Sequence, residues 1–305
     1  MLSSAIGALG DRMDAKFMTA YWLPACVFTL GGLCALGLMV GPGQIDAWIS
    51  GLDSVEQTLG VAIIVLIVSM LAFIFRALTR PITEVFAGIA IPSAVAAWST
   101  RGQQRAKQRG EQLLGAPMHG ITTGDATQVN VLQGRFPEND ANLQPPLFGN
   151  IIASASEHPR AAYSMEGMVW WSRLTPLLPG SIVDTLAGAQ APMMALLNLS
   201  TVFCGLAIVI LILGAITAQW LVAGALVIYS IVISWLGYRA AVSQAAEVSS
   251  MLRVAFDLYR YDILDQLGVD HPADLAAERA LWPRLTREIL GLPPEAAPVK
   301  TVGAA

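Results

Sequence analysis

Residues 193–238 read "MMALLNLSTVFCGLAIVILILGAITAQWLVAGALVIYSIVISWLGY", and this stretch decides the fold. It contains no charged side chain. A helix needs about 20 mostly apolar residues to cross the hydrocarbon of a bilayer. Both 193–217 and 219–238 meet that length. Almost nothing separates them, so they are predicted to form a tight antiparallel hairpin. Lipid offers the main chain no hydrogen-bond partner, which makes helices the spanning form.

Two more segments of this kind lie upstream. One is "AYWLPACVFTLGGLCALGLMV" at 20–40, and the other covers 59–77 around "VAIIVLIVSMLAFIF". The whole chain agrees: of 305 residues, 55% are hydrophobic and 13% charged. Soluble domains carry about 25% charged residues. The mean hydropathy of +0.58 points the same way. The expected fold is an all-α membrane protein with four transmembrane helices in two hairpins. Cytoplasmic interfacial and amphipathic helices and a mostly helical middle loop accompany them. The predicted divisions are a cytoplasmic N-terminal segment 1–19, a first transmembrane hairpin 20–78 and an interfacial and loop region 79–192. A second hairpin 193–238, amphipathic helices 239–291 and a disordered tail 292–305 follow.

Lys and Arg predict the orientation. Arg12 and Lys16 precede the first span, and no basic residue occurs again until Arg76. The intervening loop holds only Asp46, Asp53 and Glu56. Basic residues return at 76–109 and at Arg239, Arg253 and Arg260. Positive charge collects on the cytoplasmic side, so both termini and the long middle loop are expected there. The expected location is a bacterial inner membrane. The apolar stretch 82–98 holds Glu84 and Pro92, and spanning would put the basic run 101–109 outside. It is therefore read as an interfacial or re-entrant helix.

Further elements follow from pattern. "ATQVNVLQGRFP" at 126–137 suggests one short strand. Short helices are expected over 148–162 and 181–190. Residues 239–267 form a long helix in which Leu252, Phe256, Tyr259 and Ile263 make one apolar stripe, ending at Gly268. A further helix runs from about 273 to 290 and is stopped by Gly291 and Pro293–Pro294. Between them the polar segment enters the apolar zone through "YSMEGMVWWSRLTPLLPG", 163–180. Trp170 and Trp171 suit a boundary between apolar and wet surroundings, and Arg173 can extend its head toward phosphate. Pro176 and Pro179 disfavour a continuing helix. The stretch is read as a bend, with Glu157 or Glu166 as the carboxylate partner of Arg173.

The segment "LFGNIIASASEHPRAAYSMEGMVWWSRLTPLLP" resembles one in an uncharacterised family of bacterial four-span membrane proteins. There a Leu-Gly-Asn turn precedes an Ala/Glu helix, a Tyr-Gly-x-Asp step and a Trp-Pro-Arg-Leu-x-x-Leu-Leu-Pro run. Gly149 and Asn150 match the turn, Glu157 the helix and Tyr163 the step. Trp171, Arg173, Leu174, Leu177, Leu178 and Pro179 match the last run. Ser164, Glu166 and Ser172 replace the Gly, Asp and Pro of that pattern. "FMTAYWLPACVF", "RALTRPITEVFAG" and "AFDLYRYDILDQLGV" are also similar to it. The resemblance implies the four-span layout and no particular activity.

Catalytic signatures are scarce. The sequence contains no Walker-type loop, zincin helix or nucleophile elbow. Cys26, Cys34 and Cys204 sit in apolar runs, and His119, His158 and His271 read as solvated loop residues. No cofactor and no metal site is expected. The candidate structural or functional residues are Gly149, Asn150, Glu157, Tyr163, Trp171, Arg173 and Asn198, the last as a contact between spanning helices. Three functions are compatible with this inventory. The first is a self-associating membrane scaffold or effector without intrinsic catalysis. The second is an oligomeric channel or pore. The third is a lipid-acting enzyme at the cytoplasmic face, using Glu157, Arg173 and the 82–109 surface. The expected partners are the lipid bilayer, further copies of the chain and a cytoplasmic protein, with no nucleic acid. In a cysteine-free background, cysteines placed at 50 and 54 should react with a membrane-impermeant thiol reagent from outside. Those at 105 and 160 should react only after permeabilisation, and external labelling at 105 would overturn the topology.

Overall fold

The computed structural model describes residues 15–89, 93–114 and 131–293. His119, residues 1–14 and 126–130, Pro92 and the tail from 294 lie outside the described residues. Helices α1 (Ala15–Val40), α2 (Pro42–Ser50), α3 (Ser54–Ala77), α4 (Thr79–Phe86) and α5 (Ser93–Leu114) come first. Helices α6 (Leu147–Tyr163), α7 (Gly167–Leu174), α8 (Gly180–Thr217), α9 (Trp220–Leu267) and α10 (Leu275–Ile289) follow. Four of them, α1, α3, α8 and α9, are long and apolar enough to cross a membrane. The chain is a multi-pass membrane protein.

Helix ends follow local chemistry. Asp53 accepts hydrogen bonds from the Val55 and Glu56 amides, while Glu56 accepts one from the Asp53 amide. That reciprocal pair satisfies main-chain donors left bare at a helix start, and it begins α3 five residues before the apolar run at 59. Asp274 caps α10 through the Ala277 amide at 2.7 Å. Gly268 and Gly291 stop α9 and α10 at φ of +66° and +67°, a conformation that glycine adopts without a Cβ clash.

Several expectations are corrected. The short helix 181–190 and the span 193–217 are one helix, α8, which continues through Pro192. The fourth span and the amphipathic helix 239–267 are likewise one helix, α9. A drop in hydropathy does not by itself end a helix, and neither Gly188 and Pro192 in α8 nor Gly237 in α9 interrupts it. The stretch 82–98 is not one helix, because α4 ends at Phe86 and Gly88 takes φ +88°. Residues 131–135 are helical where a strand was expected, and no strand occurs among the described residues. The bend at 163–180 is present as α7, a 3-10 turn at Thr175–Leu177 and the start of α8.

The chain divides into two units. The first holds residues up to Ala97 together with Ala187–Glu247. Its exterior is apolar: Leu66, Met70, Ile208, Ile216, Leu221 and Ile228 are all exposed. Inside, Ala25 of α1 meets Val68 and Ala72 of α3. Ala35 and Met39 of α1 meet Val202, Leu206 and Ile210 of α8 and Ala223 of α9. A Cβ on Gly214 would lie 2.4 Å from that of Ala223, so glycine there lets α8 and α9 approach. Polar groups in this interior pair with one another. Ser200 Oγ donates to the Ser234 carbonyl at 3.0 Å, and Ser234 Oγ donates to the Ser200 carbonyl at 2.9 Å. Asn198 Nδ2 donates at 2.7 Å to Ala20 O. Ala20 sits in a π-helical turn, Met18–Trp22, where the wider pairing disturbs the regular carbonyl ladder.

The second unit holds 98–186 and the residues from Val248. Its core is Trp170, Leu174, Phe256, Ile263, Leu264, Trp282 and neighbours. The stripe predicted on α9 is therefore a packing face, with Phe256 and Ile263 buried in it. Trp170 and Trp282 meet edge to face with ring centres 5.0 Å apart. Trp170 Nε1 donates to Thr286 Oγ1 at 2.8 Å, and Thr286 Oγ1 donates to the Trp282 carbonyl at 2.8 Å. Buried aromatic N–H groups need such acceptors.

Candidate functional site

The polar unit contains a carboxylate in its core. Glu278, on the first turn of α10, is 2% exposed. An unpaired buried charge is costly, and Glu278 has three donors. Arg260 Nε reaches Oε1 at 2.7 Å, Trp282 Nε1 reaches the same oxygen at 3.2 Å, and Tyr261 Oη reaches Oε2 at 3.0 Å. Burial pushes the carboxyl upward, but these bonds and the Arg260 charge outweigh it and hold it below its ordinary value. Arg260 also stacks over Tyr163 and Tyr261, 4.0 and 4.4 Å from the ring centres. Its Nη1 donates to the Asp257 carbonyl.

Asp257 extends this network. Its Oδ1 accepts from Tyr163 Oη at 2.8 Å and lies 2.7 Å from His158 Nε2. Burial and then the Asp257 hydrogen bond push the Tyr163 phenol up to about 12. It therefore stays protonated and donating. His158 is thus a helix residue with a carboxylate partner, where a solvated loop residue was expected. His271 stacks on Tyr261 and pairs with Asp265 at 2.8 Å.

Beside the network lies a cavity of about 460 Å³. Leu132, Phe136 and Ala161 form apolar wall, and Lys107, Ser154, Glu157, His158 and Arg253 supply polar groups. Most of these are already committed. Lys107 Nζ donates to the Pro137 and Glu138 carbonyls at 2.8 and 2.9 Å and to Asp140 at 2.5 Å. Ser154 Oγ donates to the Gln133 carbonyl, not to His158. Arg253 is the exception: its Nε is buried without a hydrogen-bond partner among the described residues. Burial lowers its pKa, and the charge of Asp257 opposes that. Gly134 makes room for it, since a Cβ there would sit 2.7 Å from Arg253 Nη2.

The sequence candidates are dispersed over these features. Glu157 accepts from the Glu138 amide at 3.0 Å and from Asn142 Nδ2. Glu166 pairs with Arg160 at 3.3 Å. Neither is the partner of Arg173, whose Nη1 donates to the Val169 carbonyl at 2.7 Å while the guanidinium lies 5.8 Å from the Trp170 ring centre. Glu157, Tyr163, Glu166 and Arg173 thus have separate partners. Trp171 is half-buried against Phe256, and its neighbour Trp170 is the fully buried indole. Gly149 is buried in α6, and Asn150 Oδ1 accepts from the Gln144 amide at 2.7 Å. Asn198 belongs to the apolar unit.

Arg253, Asp257, Arg260 and Glu278 were missed. The first three recur at spacings of 4 and 3, which marks one helix face. That spacing is the signal in the sequence, and the face lies beside the apolar stripe of Leu252, Phe256, Tyr259 and Ile263. Glu278 sits four residues before Trp282, a spacing that also places both on one face.

A scan of family models finds no match to this chain, and neither the curated proteins nor the solved structures contain a similar one.

Glu278 has a folded-state pKa below its unfolded one, so its contribution is whole above the unfolded value and is lost as pH falls through the folded one. The melting temperature of the purified protein should therefore hold down to the ordinary carboxylate range and fall below it. Glu278→Gln should start lower and lose that part of the acid dependence. An unchanged acid limb in Glu278→Gln would refute the assignment.

Proposed function

We propose that the chain is an integral membrane scaffold or effector, self-associating and without intrinsic catalysis. In this reading its polar unit lies on the cytoplasmic side of a bacterial inner membrane with both termini. The unit binds an acidic group of a protein partner in the cavity at Arg253. Membership of the four-span bacterial family is part of the same proposal. One observation carries it: the buried charges around Arg253 pair with each other, whereas Arg253 lines the cavity and its buried Nε has no hydrogen-bond partner among the described residues. A guanidinium is suited to bidentate recognition of carboxylate or phosphate. His158 and Tyr163, which could do acid–base work, serve Asp257.

Glu157 and Arg173 have separate partners, which favours the scaffold reading over a lipid-acting enzyme built on that pair. In the apolar unit, Asn198, Ser200 and Ser234 hydrogen-bond between helices, which supports a bundle over a pore lined by them.

Arg253→Met tests the proposal through the sign of its effect. A buried polar group without a partner costs about 1–3 kcal/mol, so the variant should melt at the same temperature or higher. A photoreactive side chain at Ala161, on the cavity wall, should crosslink a second polypeptide in cells, and Arg253→Met should abolish that adduct. A lower melting temperature with the adduct intact would make Arg253 a packing residue.

A further inference from the structure

The link between the first two spanning helices, 41–58, reads "GPGQIDAWISGLDSVEQT", and α2 occupies Pro42–Ser50 of it. Ile45, Trp48 and Ile49 stand at i, i+3 and i+4, which places them on one face of α2. Asp46 and Ser50 point away from that face, since each residue turns the helix by about 100°. Contacts hold α2 to both of its neighbours. A Cβ on Gly37 of α1 would lie 2.8 Å from Ile45 Cδ1, so Ile45 packs on the end of α1. Gln57 Nε2, in the first turns of α3, donates to the Leu52 carbonyl at 3.2 Å and to the Ile49 carbonyl at 3.4 Å. The rest of the apolar face is uncovered: Trp48 is 69% exposed and Ile49 46%.

The surroundings of this face point to its partner. Val55 and Leu59 at the start of α3 are exposed, as are Trp220 and Leu221 at the start of α9. All of these belong to the same end of the apolar unit, where Ala35 and Met39 of α1 meet Ala223 of α9. Trp48 and Ile49 therefore extend the apolar exterior of the spanning helices. An indole favours a boundary that is apolar on one side and wet on the other. Charge is distributed unusually for an interfacial helix, whose polar face is commonly rich in Lys and Arg. Between Lys16 and Arg76 the only charged residues are Asp46, Asp53 and Glu56. Asp53 and Glu56 cap α3. No cation is placed here to attract an anionic headgroup, so apolar area and the indole are what α2 can offer a bilayer.

We propose that α2 is a membrane-surface anchor: Trp48 and Ile49 enter the boundary between headgroups and acyl chains, and Asp46 and Ser50 stay in water. The occupant of the face is the lipid of one leaflet. Surface attraction of the kind that polybasic segments exert on anionic lipid has no part in it. Because α2 is tied to α1 through Ile45 and to α3 through Gln57, its depth in the leaflet fixes the depth of that pair of spanning helices.

Electron paramagnetic resonance of nitroxide labels on the full-length protein in vesicles tests this. Asp46→Cys, Trp48→Cys, Ile49→Cys and Ser50→Cys, each alone in a cysteine-free background, carry the label. Ile49→Cys keeps the indole, so the face is read with and without it. Oxygen concentrates among acyl chains and a charged nickel chelate stays in water. Labels at 48 and 49 should relax faster with oxygen than with the chelate, and labels at 46 and 50 should show the reverse. The pattern should be the same in phosphatidylcholine alone and in phosphatidylcholine mixed with phosphatidylglycerol. A label at Leu66→Cys, on the exposed side of α3, should meet oxygen in every sample and shows that the span is inserted. A melting temperature equal to that of the cysteine-free protein shows that each variant is folded. Faster relaxation by the chelate at 48 and 49 would place the face in water and overturn the proposal. Labels there shielded from both reagents would mean that protein, a second copy included, covers the face, and would overturn it equally. Oxygen contact at 48 and 49 that appears only with phosphatidylglycerol would contradict an anchor that works without cations.

Discussion

A carboxylate buried in a helical core must be paired, and in this protein the pairing of Glu278 organises the polar unit. Arg260, Tyr261 and Trp282 reach it from α9 and α10. Holding Arg260 there aligns α9 with α10 and brings Trp282 against Trp170 of α7. Arg260 in turn lies over Tyr163, and Tyr163 donates to Asp257. His158 completes the chain of contacts at the edge of the Arg253 cavity. Breaking a buried pair by removing one partner costs about 3–5 kcal/mol, because the other charge is stranded. Every polar contact in this chain thus positions the next.

The apolar unit obeys the opposite constraint on its outside and a similar one within. Its surface is covered with exposed aliphatic and aromatic side chains, as lipid requires. In its interior, Asn198, Ser200 and Ser234 turn toward carbonyls of neighbouring helices. Small residues, Gly214 and Ala223 among them, bring those helices close enough for the bonds to form.

The spanning helices were legible in the sequence because one property, an unbroken apolar run, is sufficient for them. Helix ends were legible where a residue type dictates the ending, as at Gly268 and Gly291. The junctions inside α8 and α9 are not legible because hydropathy changes there while the helix continues, through Pro192 in α8. Trp170 and Trp171 stand out in the sequence, but adjacent residues on a helix differ by about 100° in direction, and which indole is fully buried, Trp170, is decided by packing. The burial of Arg260 and Glu278 is not legible in the sequence because each depends on the other's presence. No single position announces that dependence. Only the structure places α10 against α9.

A double-mutant cycle on Arg260 and Glu278 is the most direct test of this account. Melting temperature and denaturant midpoint would be measured for Arg260→Met, Glu278→Leu and the two together. Each single change should destabilise by about 3–5 kcal/mol, and the double variant should recover much of that loss because no charge remains stranded. Strictly additive losses, or a Glu278→Leu variant as stable as wild type, would contradict the claim that this pair organises the polar unit.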